Sequence, residues 1–119
     1  MNLAVNLLVL RCKDVELTRR FYEQLGLEFK EEKHGKGPQH YAWESRGFVL
    51  ELYPAGELQP ADNVRIGFST PLLADVAGDV RHNPDMNVLK PPYATADRLI
   101  MLLQDPDGRK VEVSQRLHR

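Results

Sequence analysis

Two glutamates, Glu51 and Glu112, stand where carboxylates are costly. Each lies inside an aliphatic stretch four residues after a glycine, Glu51 in ESRGFVLEL (44–52) and Glu112 in DPDGRKVEV (105–113). Side chains alternate along a strand, so Val49, Glu51 and Tyr53 share one face while Phe48, Leu50 and Leu52 share the other; Lys110, Glu112 and Ser114 likewise oppose Val111 and Val113. The apolar faces are the ones that meet helices, which turns both glutamates toward the opposite, concave side of their sheets. Two carboxylates in one cleft have two chemical uses. They can hold a hard divalent cation, weakly if water or substrate must fill the remaining positions, or one of them can act as a general base.

Other side chains could join them. On QHYAWES (39–45), strand alternation separates His40 from Tyr41 and Trp43. If Tyr41 and Trp43 face the cleft with Tyr53, the three make an aromatic wall suited to a flat or apolar ligand; otherwise they fill core beneath a helix. His40 is either a general base or substitute ligand, or a surface or satisfied polar residue. The irregular stretch HNPDMNVLKPPYATADR (82–98) reads as a segment lying over a site, with Tyr93 near ligand. HGKGP (34–38) has glycines and a lysine, but no strand-to-helix context follows, so it is a hairpin loop and not a phosphate cradle. Cys12 has the parity of Leu8 and Leu10 and reads as a buried, inert thiol. No serine, histidine and acid can be assembled into a triad from the sequence.

The elements that must position these residues occur in the same order twice. LAVNLLVLRC (3–12) is a strand, and Asp14 then caps a helix whose apolar face is Leu17, Phe21 and Leu25. Gly26 ends that helix. Strands follow at 27–33, 39–45 and 48–54, the last two joined as a hairpin across Arg46 and Gly47. A polar, proline-containing linker (55–63) leads to a strand at 64–69. Thr70 and Pro71 open a second helix with Leu72, Leu73, Val76 and Val80 on its apolar face, interrupted by Gly78 and stopped by Pro84. Strands at 86–92, 98–104 and 110–115 complete the repeat, and the double proline suits a sheet edge. The chain therefore reads as α+β, a tandem β-α-β-β-β repeat with modules at about 1–55 and 63–119.

Bulk properties narrow the partners. A chain of 119 residues is one domain by length, and 16 basic against 17 acidic residues leave a net charge of -1. Such a balance offers no field for nucleic acid or an anionic membrane surface. The single cysteine cannot close an internal disulfide, and charge interrupts the N-terminal apolar run before a secretion signal is complete, so a reduced, cytoplasmic setting is expected. No apolar run approaches a membrane span.

With its motifs taken in order, the sequence resembles the vicinal oxygen chelate superfamily of glyoxalases, bleomycin-resistance proteins and dioxygenases. LLVLRCKDVELTRRFYEQLGLEF (7–29), FVLEL (48–52) and LLQDPDGRKVEV (102–113) carry the likeness. It implies a glyoxalase/bleomycin-resistance-like fold, a homodimer, and four metal-ligand positions that map by motif to Leu7, Glu51, Arg65 and Glu112. Two of these depart from the pattern. Leucine has no lone pair, and arginine stays protonated and repels a cation. The expectation is therefore a site with no metal cofactor, in which Arg65 supplies positive charge between Glu51 and Glu112, with Leu7, Tyr41, Trp43, Tyr53 and Tyr93 lining the ligand. Two functions follow from the resemblance: sequestration of a small organic molecule, or a metal-dependent glyoxalase-like lyase or isomerase using Glu51 and Glu112, with His40 or water completing the metal site.

Overall fold

The computed structural model describes residues 2–118. The chain divides between Asp62 and Asn63 into two compact units. Each unit is a four-stranded sheet and one helix, so the fold is α+β with tandem βαβββ modules, as the sequence repeat predicts.

In the first unit the strands are β1 (Leu7–Cys12), β2 (Lys30–Glu32), β3 (His40–Ser45) and β4 (Phe48–Pro54), with helix α1 (Val15–Gln24) between β1 and β2. The sheet order is β1-β4-β3-β2, with β1 parallel to β4 and the other pairs antiparallel. Local chemistry sets the helix ends. The Asp14 side chain accepts hydrogen bonds from the backbone N–H groups of Glu16 and Leu17, at 3.1 and 3.2 Å, which satisfies donors that have no partner inside the first turn. At the other end Gly26 takes φ +101, and the Leu27 N–H donates to the Tyr22 carbonyl at 3.2 Å, closing the helix as a Schellman turn. Arg46 and Gly47 both have positive φ, 53 and 82, so the β3–β4 hairpin closes on a two-residue turn of the mirror-image kind that matches strand twist.

The buried stripe of α1 is Thr18, Phe21 and Tyr22. This corrects the expected Leu17, Phe21 and Leu25 face, since Leu17 is 45% exposed. The helix is rotated so that Tyr22, fully buried, meets the sheet, and Thr18 is buried with it. Against this stripe lie Leu10, Cys12, Leu50 and Leu52, all at zero exposure; burial of a leucine of this kind stabilises by about 1.5–3 kcal/mol. Two strand bounds are also shorter than expected. Residues 2–6 lie outside β1, and β2 has three residues where seven were expected.

The second unit repeats the plan with β5 (Ile66–Ser69), α2 (Leu73–Arg81), β6 (Asn87–Ala94), β7 (Arg98–Gln104) and β8 (Lys110–Arg116), in the order β5-β8-β7-β6. Helix α2 buries Leu73, Ala77 and Val80, against a sheet face that includes Met101, Leu103, Val111 and Val113. Leu72 is its N-cap and is exposed, where Thr70 had been expected to cap; the Leu73 N–H instead donates to Gln115 Oε1 on β8 at 2.8 Å. The edge strand expected at 86–92 is β6, so most of the stretch 82–98 is paired strand and not irregular cover; it absorbs Pro91 and Pro92 through register shifts, at the position where a residue without an N–H is tolerated. The β7–β8 turn is held by a buried ion cluster. Arg109, with no exposed surface, donates to Asp105 at 2.9 Å and to Asp107 at 3.2 Å.

Candidate functional site

In the first unit the pairing register fixes which residues share the Glu51 face. Ala42 pairs with Glu51 and Tyr41 with Leu52; Val9 pairs with Glu51 from the other side; Glu32 pairs with His40. Glu32, His40, Glu51 and Tyr53 therefore fall on one face, and Tyr41 and Trp43 fall on the face of Leu50 and Leu52. The expected aromatic wall of Tyr41, Trp43 and Tyr53 does not form. Tyr41 instead reaches α1, where its hydroxyl donates to the Glu16 carboxylate and its ring lies under the Arg19 guanidinium at 5.0 Å. The bond to Glu16 and burial push the Tyr41 phenol up, while the hydrogen bonds from Tyr41 and Arg19 hold the Glu16 carboxyl below its usual range.

His40 organises the Glu51 face, a role that strand alternation alone did not reveal. Its exposure is 1%. The Tyr53 ring stacks on it, centroids 4.1 Å apart and 10° from parallel, and the Tyr53 hydroxyl lies 3.2 Å from His40 Nε2. Glu51 Oε2 is 3.4 Å and Glu32 Oε2 3.5 Å from the same nitrogen. Burial, and next the nearby Glu51 carboxylate, push the Tyr53 phenol up, and the Arg11 guanidinium over its ring, 4.8 Å from the centroid, opposes them. Beside this cluster opens a pocket of about 830 Å³ whose lining includes Glu32, Trp43, Val49 and Glu51.

In the second unit Glu112 has different company. Gly67 pairs with it from β5 and Leu102 from β7. Arg65, just before β5, places Nε 3.6 Å from Glu112 Oε1, and Arg98 Nη1 is 4.0 Å from Oε2. Gly67 makes room for this arrangement, because a Cβ there would sit 3.2 Å from Glu112 Cγ. Tyr93 lies on the exposed edge strand, with Lys90 Nζ 5.7 Å from its ring centroid.

Of the four positions that the resemblance assigns to a metal, two hold side chains that cannot ligate one. Leu7 is aliphatic and half exposed, and Arg65 directs a cation at Glu112; only Glu51 and Glu112 carry lone pairs suited to a cation.

This fold and the motifs within it define a class. The chain belongs to the Glyoxalase/Bleomycin resistance protein/Dioxygenase superfamily, whose model matches residues 4–113. Among solved structures it is similar to TnmS3, an antibiotic binding protein from Streptomyces sp. CB03234, with a TM-score of 0.80, 18% identity and 98% of each chain covered. It is also similar to TioX from Micromonospora sp. ML1, with a TM-score of 0.74, 12% identity, and 96% of this chain and 99% of that one covered. A third is a protein from the mobile metagenome of V. Pseudocholerae, VPC_CASS1, with a TM-score of 0.73, 26% identity, and 99% of this chain and 98% of that one covered. No curated protein sequence matches. Among the described residues no helix is long and apolar enough to cross a membrane.

Proposed function

We propose that this chain captures a small organic molecule bearing positive charge, on the Glu51 face of its first unit, with no ion at the four family-type positions. The pocket carries the reading. At about 830 Å³ it is within the size range of small-molecule sites. Its lining sets Glu28, Glu32, Glu44 and Glu51 against Lys30 and Arg46, four carboxylates to two cations. An organic cation gains from that excess, and Ala42 and Val49, on the Glu51 face at the same pocket, offer apolar surface to its body. The neighbour TnmS3, an antibiotic binding protein, supports small-molecule capture as a use of this fold. The Arg65–Glu112 pair, by filling a ligand position with a cation, supports independence from a family-type metal.

The test is a thermal-shift screen of metal-stripped protein against cationic aromatic compounds and their neutral analogues. A ligand at a hundred times its Kd stabilises by about 2.7 kcal/mol, and that shift should be saturable, confined to the cations and abolished in Glu51→Gln. Equal shifts from neutral analogues, or none from any compound, would sink the reading.

A second reading, a metal-dependent lyase or isomerase on a small carbonyl substrate, is favoured by one contact, His40 beside Glu51 at 3.4 Å, which sets a potential base next to a carboxylate. Turnover of the hemithioacetal of methylglyoxal and glutathione with nickel, zinc, manganese or iron, lost in Glu51→Gln or Glu112→Gln, would replace capture by catalysis. We take the working form to be a homodimer in a reducing, cytoplasmic setting. The exposed Leu3, Val5 and Leu7 and the exposed Val88, Leu89 and Tyr93 of edge strand β6 support association; light scattering on the eluting protein measures it.

A further inference from the structure

We propose that Glu32, His34 and His40 form a binding site for a first-row divalent metal ion, built wholly within the first unit and distinct from the family-type positions. The site is made by the β2–β3 hairpin. Glu32 and His40 are cross-strand partners, and the connecting loop turns back through Gly35, at φ +59, and the hydrogen bond from the Gly37 N–H to the His34 carbonyl, 2.9 Å. That turn sets the His34 ring 5.2 Å from the His40 ring, centre to centre. One donor atom from each of the three residues then lies within 4.8 Å of the other two.

The separations suit an ion. Glu32 Oε2 is 3.3 Å from His34 Nε2 and 3.5 Å from His40 Nε2. In a tetrahedral site with metal–nitrogen and metal–oxygen bonds of about 2.0–2.1 Å, donors stand roughly 3.3–3.5 Å apart.

The tautomer of His40 points the same way. Its Nδ1 lies 3.2 Å from the Pro38 carbonyl oxygen. A carbonyl only accepts, so Nδ1 carries the hydrogen. In the neutral ring Nε2 then presents a lone pair, and that nitrogen, almost fully buried, faces the carboxylates of Glu32 and Glu51 at 3.5 and 3.4 Å. A lone pair facing two carboxylates is repulsive unless a proton or a metal cation lies between them. Tyr53 can donate one hydrogen to that nitrogen, and His34 Nε2 lies against the Glu32 carboxylate. A histidine whose Nδ1–H is held by a backbone carbonyl, which leaves Nε2 for an ion, is the usual arrangement for metal ligation. Two imidazoles and one carboxylate select zinc, nickel or cobalt over magnesium and calcium, which prefer all-oxygen ligands. Glu51, beside the same nitrogen, is placed to accept a hydrogen bond from water in the fourth position.

Full-length protein stripped of metal and titrated with Co(II), followed by its visible absorption, and with Zn(II), followed calorimetrically, tests the site. The expected result is saturable one-to-one binding of both, with the absorption of tetrahedral cobalt and no competition from Mg(II). His34 is largely exposed, so His34→Ala folds whatever happens to His40→Gln. His34→Ala and Glu32→Gln should each weaken Zn(II) by roughly 100-fold or more, beyond the loss that follows removal of an outer partner, while Glu112→Gln should leave the affinity unchanged. Absence of saturable Zn(II) binding overturns the proposal, as does binding that survives His34→Ala and disappears in Glu112→Gln. The ligand screen uses metal-stripped protein, so its outcome is independent of this one.

Discussion

Glu51 and Glu112 occupy the same place in two copies of one plan, yet their neighbours differ. Glu51 meets a buried imidazole at 3.4 Å; Glu112 meets two half-exposed guanidinium groups at 3.6 and 4.0 Å. The partner opposite each acid on the parallel strand differs in the same sense, Val9 beside Glu51 and Gly67 beside Glu112. The turns that present the two strands also diverge. The β3–β4 turn has no buried charge and holds Arg46 at positive φ, whereas the β7–β8 turn encloses Arg109 with Asp105 and Asp107. The repeat conserves the acid's position and register while its electrostatic surroundings are free to change, because sheet pairing depends on the backbone and the apolar face, not on what stands opposite the carboxylate. One unit has become an acid–imidazole face next to a pocket, and the other an acid–arginine face.

The largest expected effect breaks the symmetry of the turns. Arg109→Ala leaves Asp105, 4% exposed, without its cation, and breaking a buried pair in this way costs about 3–5 kcal/mol. The urea midpoint should fall accordingly; a loss below about 1 kcal/mol would mean that the cluster is not the staple its burial implies. The matching change in the first unit has the opposite sign. A left-handed conformation costs a residue with a Cβ about 1–2 kcal/mol, less for asparagine and nothing for glycine. Arg46→Gly should therefore stabilise the protein by about 1 kcal/mol through the turn itself, and a destabilised variant would show that Arg46 makes a contact outweighing its strain.

What the sequence reveals follows from range. The Asp14 cap, the Gly26 helix end and the Arg46–Gly47 turn are legible because each depends on residues a few positions apart. The module repeat and the orientation of Glu51 are legible through alternation. The α1 stripe was misread because Thr18 and Tyr22 are polar by composition and buried in fact; the sheet, not periodicity, chooses the helix's rotation. The His40 cluster needed the β2–β3 register, which a three-residue strand barely announces. Parity along β3 and β4 separately does not say whether His40 or Tyr41 falls beside Glu51. That depends on the turn, which pairs Ala42 with Glu51. Likewise the cap of α2 comes from Gln115, forty-two residues away, beyond any local signal.

The finest test of the comparison is optical. The Tyr53 phenol is pushed up first by burial and then by the Glu51 carboxylate. A raised folded-state value favours the neutral phenol, so its contribution to stability is complete below the ordinary tyrosine value of about 10 and is lost as pH rises through the folded value. Ultraviolet titration, with Tyr53→Phe to assign the signal and separate it from Tyr41, which is also raised, should place Tyr53 above that value. Glu51→Gln removes one of the causes that raise it, leaving burial and the Glu32 carboxylate against the opposing Arg11, so the phenol should titrate earlier than in the parent protein. Glu112→Gln should leave it unmoved. If both substitutions move Tyr53 alike, or neither does, the two acids are not in the separate surroundings that distinguish one unit from the other.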